Sequence, residues 1–306
     1  FVGTAPDASF YLFLTEDGTQ EHPYEESLWV EAAERADSLG VDVLTTSLGY
    51  TQFDRTDYNH TYEDLDGQTT FITRGSEIAF SRGMLVVNSA GNEGSSSWHY
   101  IGAPADAPSI LSIGAVDASG NIAAFSSWGP TVDERVKPDV CAQGQGSAVI
   151  NTSNNITSGS GTSFSGPILA GVATCFWQAF PDKTNAEIAQ AIRESAHLYA
   201  TPDDHYGYGI PNFETAFNTM SLSNLTPEDF VVYPNPLNGQ QALTLQIPQL
   251  QPETSLKIST INGQVLGVYE VNHSPYSVDL HNLSQGVYWV SILSDENVYT
   301  QKLIVH

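Results

Sequence analysis

Basic residues are scarce: Lys and Arg number 10 against 35 Asp and Glu, a formal net charge of −25. A chain so short of cations lacks the clustered Lys and Arg that neutralise a phosphate backbone, which argues against a nucleic-acid partner. The excess carboxylate suits plain solubility, or salty surroundings that screen its repulsion. Cysteine is almost absent, and neither Cys141 nor Cys175 has Cys-x-x-Cys or Cys/His spacing, so a zinc site is not expected. Both lie among apolar residues and are expected to be buried free thiols rather than a disulfide. Long apolar runs are missing too. The longest apolar helical stretch, residues 168–180, is too short to span a bilayer, so no transmembrane segment is expected. Phe1-Val2-Gly3-Thr4-Ala5-Pro6 has neither a basic start nor an apolar run, so no signal peptide is visible, and the chain is expected to begin partway through a domain.

What is present suffices for a folded core, since 41% of residues are hydrophobic and only 15% charged. Up to about residue 220, short β-branched runs at 10–14, 41–47, 85–89 and 110–116 alternate with helical patterns. Residues 27–39 place Leu28, Ala32, Ala36 and Leu39 at helical spacing, and 70–82 do so with Ile72, Ile78, Ala79 and Phe80. This rhythm predicts an α/β domain with a parallel sheet. A further helix is expected over 163–180, and Thr184 with Glu187 has capping-box spacing for another, through about Leu198. Beyond Pro227 the period becomes two, with strands expected at 243–247, 256–259, 265–271, 287–293 and 300–305 and a hairpin turn at Asn262-Gly263. The expected organisation is an α/β domain over 1–222, a linker at 223–229 and a small β-sandwich over 230–306.

The strongest local signal is Gly159-Ser160-Gly161-Thr162-Ser163-Phe164-Ser165-Gly166-Pro167, running into an apolar helix. A serine in the first helical turn sits among unpaired N–H groups at the positive end of the helix dipole, where a developing anion is favoured. Pro167 is expected in that turn, where its missing N–H has no intrahelical role. An isolated serine there is ordinarily only a cap. The elbow of the α/β-hydrolases does not fit, because Ser165 stands where that motif has glycine. A second segment changes the balance: the apolar run ending in Asn88-Ser89-Ala90-Gly91-Asn92-Glu93-Gly94 reads as a buried strand and polar turn. Such a turn can offer the Asn92 carboxamide to an oxyanion, with the Ser163 N–H as second donor.

Together these segments resemble the subtilisin family. Gly161-Thr162-Ser163-x-Ser165-x-Pro167 is similar to its nucleophile motif, Ala90-Gly91-Asn92-Glu93-Gly94 to its oxyanion turn, and Thr46-Ser47-Leu48-Gly49 to its substrate-binding strand. Phe125-Ser126-Ser127-Trp128-Gly129-Pro130, Lys137-Pro138-Asp139-Val140 and Gly207-Tyr208-Gly209 follow in family order. The resemblance covers roughly residues 1–220. It implies a serine endopeptidase with Ser163 as nucleophile and Asn92 as oxyanion donor. It further implies that Ser47, Leu48 and Gly49 pair with the substrate backbone, that Ser89, Ala90 and Gly91 form the other wall of the specificity pocket, and that Glu93 lies near its base.

The family's Asp and His motifs are not found in this sequence, and none of its histidines (22, 60, 99, 197, 205, 273, 281 and 306) has the required context. The implied partner is an N-terminal segment of the same enzyme that supplies both, beside protein or peptide substrates. No cofactor is needed for such chemistry. Structural calcium is common in the family, and Asp54, Asp57, Asn59, Glu63, Asp64 and Asp66 supply oxygens within 52–68, but without the spacing of a calcium loop, so a solvated acidic loop is the simpler reading. Metal ligands are therefore not assigned. The last domain, with Val232-Tyr233-Pro234-Asn235-Pro236 and Leu283-Ser284-Gln285-Gly286-Val287-Tyr288-Trp289-Val290, resembles the C-terminal sorting domains of type IX secretion. This implies a secretion-machinery partner and a secreted or surface location in a Gram-negative bacterium. An adhesive or carbohydrate-binding module is the alternative for that domain. An inactive subtilase-like binding scaffold is the rival for the whole, and an esterase is a weaker third reading.

Overall fold

Four short apolar runs set the frame of the first unit. β1 (Val43–Thr46), β2 (Leu85–Ser89), β3 (Leu111–Val116) and β4 (Val140–Gln143) pair in chain order as a wholly parallel sheet. Every residue of β2 and β3 is buried, as expected of parallel strands covered on both faces. The computed structural model describes residues 2–223, 230–238, 242–247, 250, 254–280, 282–293 and 298–306. The chain divides into two compact units, Phe1–Phe217 and Asn218–His306. Most of the 223–229 segment expected as a linker lies outside the described residues.

In the first unit, α1 (Tyr24–Ser38) and α2 (Phe71–Ser81) pack on each other, and α3 (Thr162–Gln178) packs across all four strands. The Thr70 side chain caps α2, and the Thr184–Glu187 capping box opens α4 (Asn185–Glu194), which stops short of Leu198. The hairpin β5 (Ser147–Ile150) and β6 (Ile156–Gly159), the strand β4 and the helix α5 (Phe213–Ser223) were not foreseen from the sequence.

Three local expectations are corrected. Residues 10–14 form neither strand nor helix, and Phe10, Leu12 and Leu14 are 73%, 92% and 90% exposed. A strand forms only where its backbone groups find a partner, and among the described residues none pairs with this run or with the outer edge of β1. α1 turns a different face inward: Trp29, Ala33 and Ala36 are buried while Leu28 is exposed. The Trp29 indole decides this, being the largest apolar group on the helix and donating from Nε1 to the Thr46 hydroxyl at 3.1 Å. Cys141 is buried, but Cys175 is exposed, because α3 buries the stripe of Leu169, Ala170, Ala173 and Phe176 and Cys175 lies off it. Both are free thiols, and burial pushes the Cys141 thiol well up.

A buried ion network ties β3, β4 and α4 together. Asp139 accepts from Lys137 Nζ at 2.6 Å, from Arg193 Nε at 2.7 Å and from the Ser112 N–H at 2.7 Å. The guanidinium also donates to the carbonyls of Ser109 and Ile110. Burial alone would raise the Asp139 carboxyl, but Arg193, Lys137 and the hydrogen bonds outweigh it and hold it below the ordinary carboxylate range.

The second unit is a sandwich of two antiparallel sheets. One has the order β10 (Val265–Glu270), β9 (Ser255–Thr260), β12 (Gly286–Leu293), β13 (Val298–Val305). The other has β11 (Tyr276–Asp279), β8 (Ala242–Gln246), β7 (Val231–Tyr233). Their inner faces share one core including Val232, Leu243, Leu245, Leu256, Ile258, Val290, Ile292 and Leu303. The β9–β10 hairpin turns at Asn262-Gly263, where Gly263 has φ +83°.

Candidate active site

β1 and β2 are neighbours, and both end at the same edge of the sheet, so the segments leaving them lie side by side. Ser47-Leu48-Gly49 follows the first, and Ser89 with the 90–94 turn closes the second. The third element is the start of α3, where Thr162 is the first helical residue and Ser163 the second. The first N–H groups of a helix have no carbonyl four residues back to bond.

Side chains lock the three together. The Ser89 hydroxyl donates to the Thr162 carbonyl at 2.9 Å, and the Ser47 hydroxyl donates to the Ser163 carbonyl at 3.1 Å. The second contact has its cause in Pro167, which is not in the first turn as expected but is the sixth helical residue. Lacking an N–H, it leaves the Ser163 carbonyl without its intrahelical donor. Ser47 fills that vacancy and so joins the β1 exit to the helix.

Asn92 is oriented from the same helix. Its Oδ1 accepts from the Thr162 N–H at 2.8 Å and from the Thr162 hydroxyl at 3.1 Å. A backbone N–H can only donate, so the atom facing it must be the amide oxygen, which turns Nδ2 the other way. The Gly91 N–H donates to the Thr162 hydroxyl at 3.2 Å. Gly91 has φ +116°, and a Cβ there would stand 2.8 Å from the Ser127 hydroxyl, so the turn requires glycine. On the opposite wall, Asn88 Nδ2 donates to the Leu48 carbonyl at 3.2 Å.

The resulting cleft encloses about 190 Å³, and its lining includes Ser163, Asn92, Ser47, Leu48, Gly49, Ser89, Gly91 and Glu93. Ala90 is not among them: it is fully buried, its N–H donating to Ile113 and its carbonyl accepting from Gly102. Glu93 lines the cleft but is exposed to solvent rather than enclosed at a base. Trp98, Tyr100, Thr51 and Gly102, all missed from the sequence, complete the lining with Ser127 and Thr162, which the sequence singled out only as parts of motifs. The Trp98-His99-Tyr100 triplet just after the polar turn was the available signal. Among the described lining residues the only ionisable side chains are Glu93 and Tyr100. The histidines lie elsewhere: His99 stacks on Trp128, His205 tilts against the same ring, His197 accepts the Ile210 N–H, and His60 pairs with Glu26. His281 lies outside the described residues.

Three of the carboxylates of 52–68 are engaged locally, and Asp54 accepts the Glu21 N–H. Asp57 pairs with Arg55 at 2.6 Å, Asp64 accepts the Thr61 N–H, and Asp66 accepts those of Gln68 and Thr69. Among the described residues, the acidic group compact enough to hold a cation is instead Glu16, Glu21 and Glu25. Burial, then Glu25, Glu16 and Asp54, raise the Glu21 carboxyl.

Comparison with known proteins matches both units to families. A family model described as the subtilase family matches residues 1–209, and one described as a secretion system C-terminal sorting domain matches 231–306. The chain is 30% identical over 216 residues to Subtilisin DY of Bacillus licheniformis, covering 70% of this chain and 70% of that protein. It is 33% identical over 220 residues to Subtilisin E of Bacillus subtilis (strain 168), covering 70% of this chain but only 50% of the relative. Among solved structures, the self-cleaved protease domain of PatA is similar with TM-score 0.51 at 23% identity, covering 64% of this chain and 68% of that one, a likeness of fold alone.

Proposed function

This chain belongs to the subtilase family of serine proteases, and from that premise we propose that it carries the nucleophile, Ser163, of a secreted serine endopeptidase whose Asp and His come from an N-terminal segment. The observation that carries this is the orientation of Asn92: its oxygen is held by Thr162, which leaves its Nδ2 for an anion beside Ser163. In the proposed reaction, a histidine of the N-terminal segment takes the Ser163 hydroxyl proton as Oγ bonds to the substrate carbonyl carbon. The oxyanion is met by Asn92 Nδ2 and the Ser163 N–H. The intermediate collapses, the departing amine leaves with the proton, and water then cleaves the acyl-enzyme. Asn88 engages the Leu48 carbonyl, so Ser47 and Gly49 are the positions whose backbone can pair with an extended substrate. The chemistry requires no cofactor, and no role for calcium follows from it.

The test is made on the complete enzyme. A fluorophosphonate should label Ser163 and no other residue, and Asn92→Ala should lower kcat by about 10²–10³ with little change in KM, a magnitude measured on a subtilisin. An unchanged kcat would remove Asn92 from the mechanism. The rival reading, an inactive binding scaffold, draws on the lack of a histidine among the described cleft residues, and labelling at Ser163 would exclude it.

Specificity follows from the walls. Trp98 and Tyr100 favour Phe, Tyr, Leu or Met before the cleaved bond. Because Glu93 is exposed, its contact with a lysine side chain is screened and contributes about 0–1 kcal/mol rather than the strength of an enclosed pair. Glu93→Gln should therefore lower kcat/KM for Lys substrates by less than about five-fold and leave Phe substrates unchanged. A peptide-library profile dominated by Asp, Glu or Gly would mean that the walls are misassigned.

The C-terminal unit matches a sorting domain, which implies secretion or a surface location. We propose that it addresses the enzyme to the type IX machinery of a Gram-negative bacterium. Deleting residues from 226 onward should abolish export and leave peptidase activity intact. Normal secretion of the truncated protein would refute this role.

A further inference from the structure

A second cavity, of about 300 Å³, opens at the N-terminal ends of α1 and α2 and shares no lining residue with the Ser163 cleft. Its walls are aromatic: Phe53 is buried, while Tyr58 and Phe71 are 48% and 46% exposed. His60, edge-on to Phe53 at 5.4 Å, lines it together with Glu26. Glu26 is itself buried, with one carboxylate oxygen 2.7 Å from His60 Nε2 and the other accepting the Ile72 N–H at 2.9 Å. Both of its oxygens are thus engaged, one on His60 and the other on the start of α2.

The remaining charged lining residue is Arg74. In a chain with only 10 Lys and Arg against 35 Asp and Glu, this guanidinium forms no ion pair among the described residues. Its Nη1 donates to the carbonyls of Gln68 and Thr69, and its carbon lies 5.8 Å from the Phe71 ring centroid. Its Nε and Nη2 have no protein acceptor among the described residues. Asp57, the chain neighbour of Tyr58, is not among the lining residues and is paired with Arg55. A cation held at an aromatic-walled cavity sized for one large side chain matches a ring with a carboxylate beside it.

We propose that this cavity binds the C-terminal residue of a peptide ending in Phe or Tyr, the ring between Phe53, Tyr58 and Phe71 and the terminal carboxylate on Arg74. The choice of a peptide end rests on the peptidase reading, since cleavage after an aromatic residue releases such ends. The cavity would then hold cleavage product away from the cleft.

The experiment is a calorimetric or NMR titration of the 306-residue chain carrying Ser163→Ala, which needs no activity and so fails or succeeds independently of the peptidase reading. Acetyl-Ala-Ala-Phe with a free carboxylate should bind with a Kd on the order of 1 mM. Its C-terminal amide should bind at least about ten-fold more weakly. Arg74→Gln should erase that difference, and Tyr58→Ala should weaken the acid and leave the melting temperature unchanged. Equal binding of acid and amide, an acid affinity untouched by Arg74→Gln in a chain that melts normally, or no saturation by about 10 mM would each overturn the assignment.

Discussion

The 306-residue chain by itself is expected to hydrolyse peptides about 10⁶-fold more slowly than the proposed complete enzyme with Asp and His supplied, the loss measured when a subtilisin is deprived of its nucleophile or its base. A serine hydroxyl is a weak nucleophile at neutral pH until a base takes its proton. The described cleft residues offer only Glu93 and Tyr100 as ionisable groups. The helix start and Asn92 would still stabilise an oxyanion, but neither can accept the hydroxyl proton. The measurement is turnover of an acetyl-peptide amide by the purified chain beside the complete enzyme, with Ser163→Ala variants of both. Turnover by the chain alone that disappears with Ser163→Ala would mean that a base within these residues has been overlooked.

Removing the carboxylate at the centre of the buried network should cost the first unit about 3–5 kcal/mol, because Asp139→Ala leaves Lys137 and Arg193 as uncompensated buried cations. Urea unfolding followed by tryptophan fluorescence reports mainly on this unit, which holds four of the five tryptophans, Trp29, Trp98, Trp128 and Trp177, with Trp289 in the second unit. A change below about 1 kcal/mol would show the network to be hydrated or neutral. The pH dependence follows from the direction of the Asp139 shift. Its folded carboxyl is held below the ordinary value of 3.8, so the network's stabilisation is fully present above that value. It is lost as pH falls through the lower, folded value, where the carboxylate is finally protonated. Asp139→Ala should accordingly show a shallower acid limb than the parent chain.

How far the site was legible depends on the range of the contacts that build it. Ser163 was recognisable because the residues that make it special, Gly161, Thr162, Ser165 and Pro167, lie within one or two helical turns. The Asn92 turn was recognisable for the same reason, as a strand end followed by a glycine-flanked polar turn. The face of α1 was misjudged because spacing alone admits two stripes, and only the docking of Trp29 against Thr46 chooses between them. Residues 10–14 read as a strand from composition, but strand formation is a property of a pair.

By itself, then, the sequence determined most of the local elements: three of the four parallel strands from their β-branched runs, the capping box of α4, the Asn-Gly hairpin, and a serine at the start of an apolar helix. Each depends on residues within a few positions of one another, where propensity, capping and periodicity act. Tertiary structure alone decided which way Asn92 faces, through Thr162 at a separation of 70 residues, and what satisfies the carbonyl that Pro167 strands, through Ser47 at a separation of 116. It also brought Trp98 and Tyr100 into the cleft and left Glu93 in solvent. Those outcomes follow from hydrogen-bond satisfaction and packing across segments distant in the chain, and no local pattern carries that information.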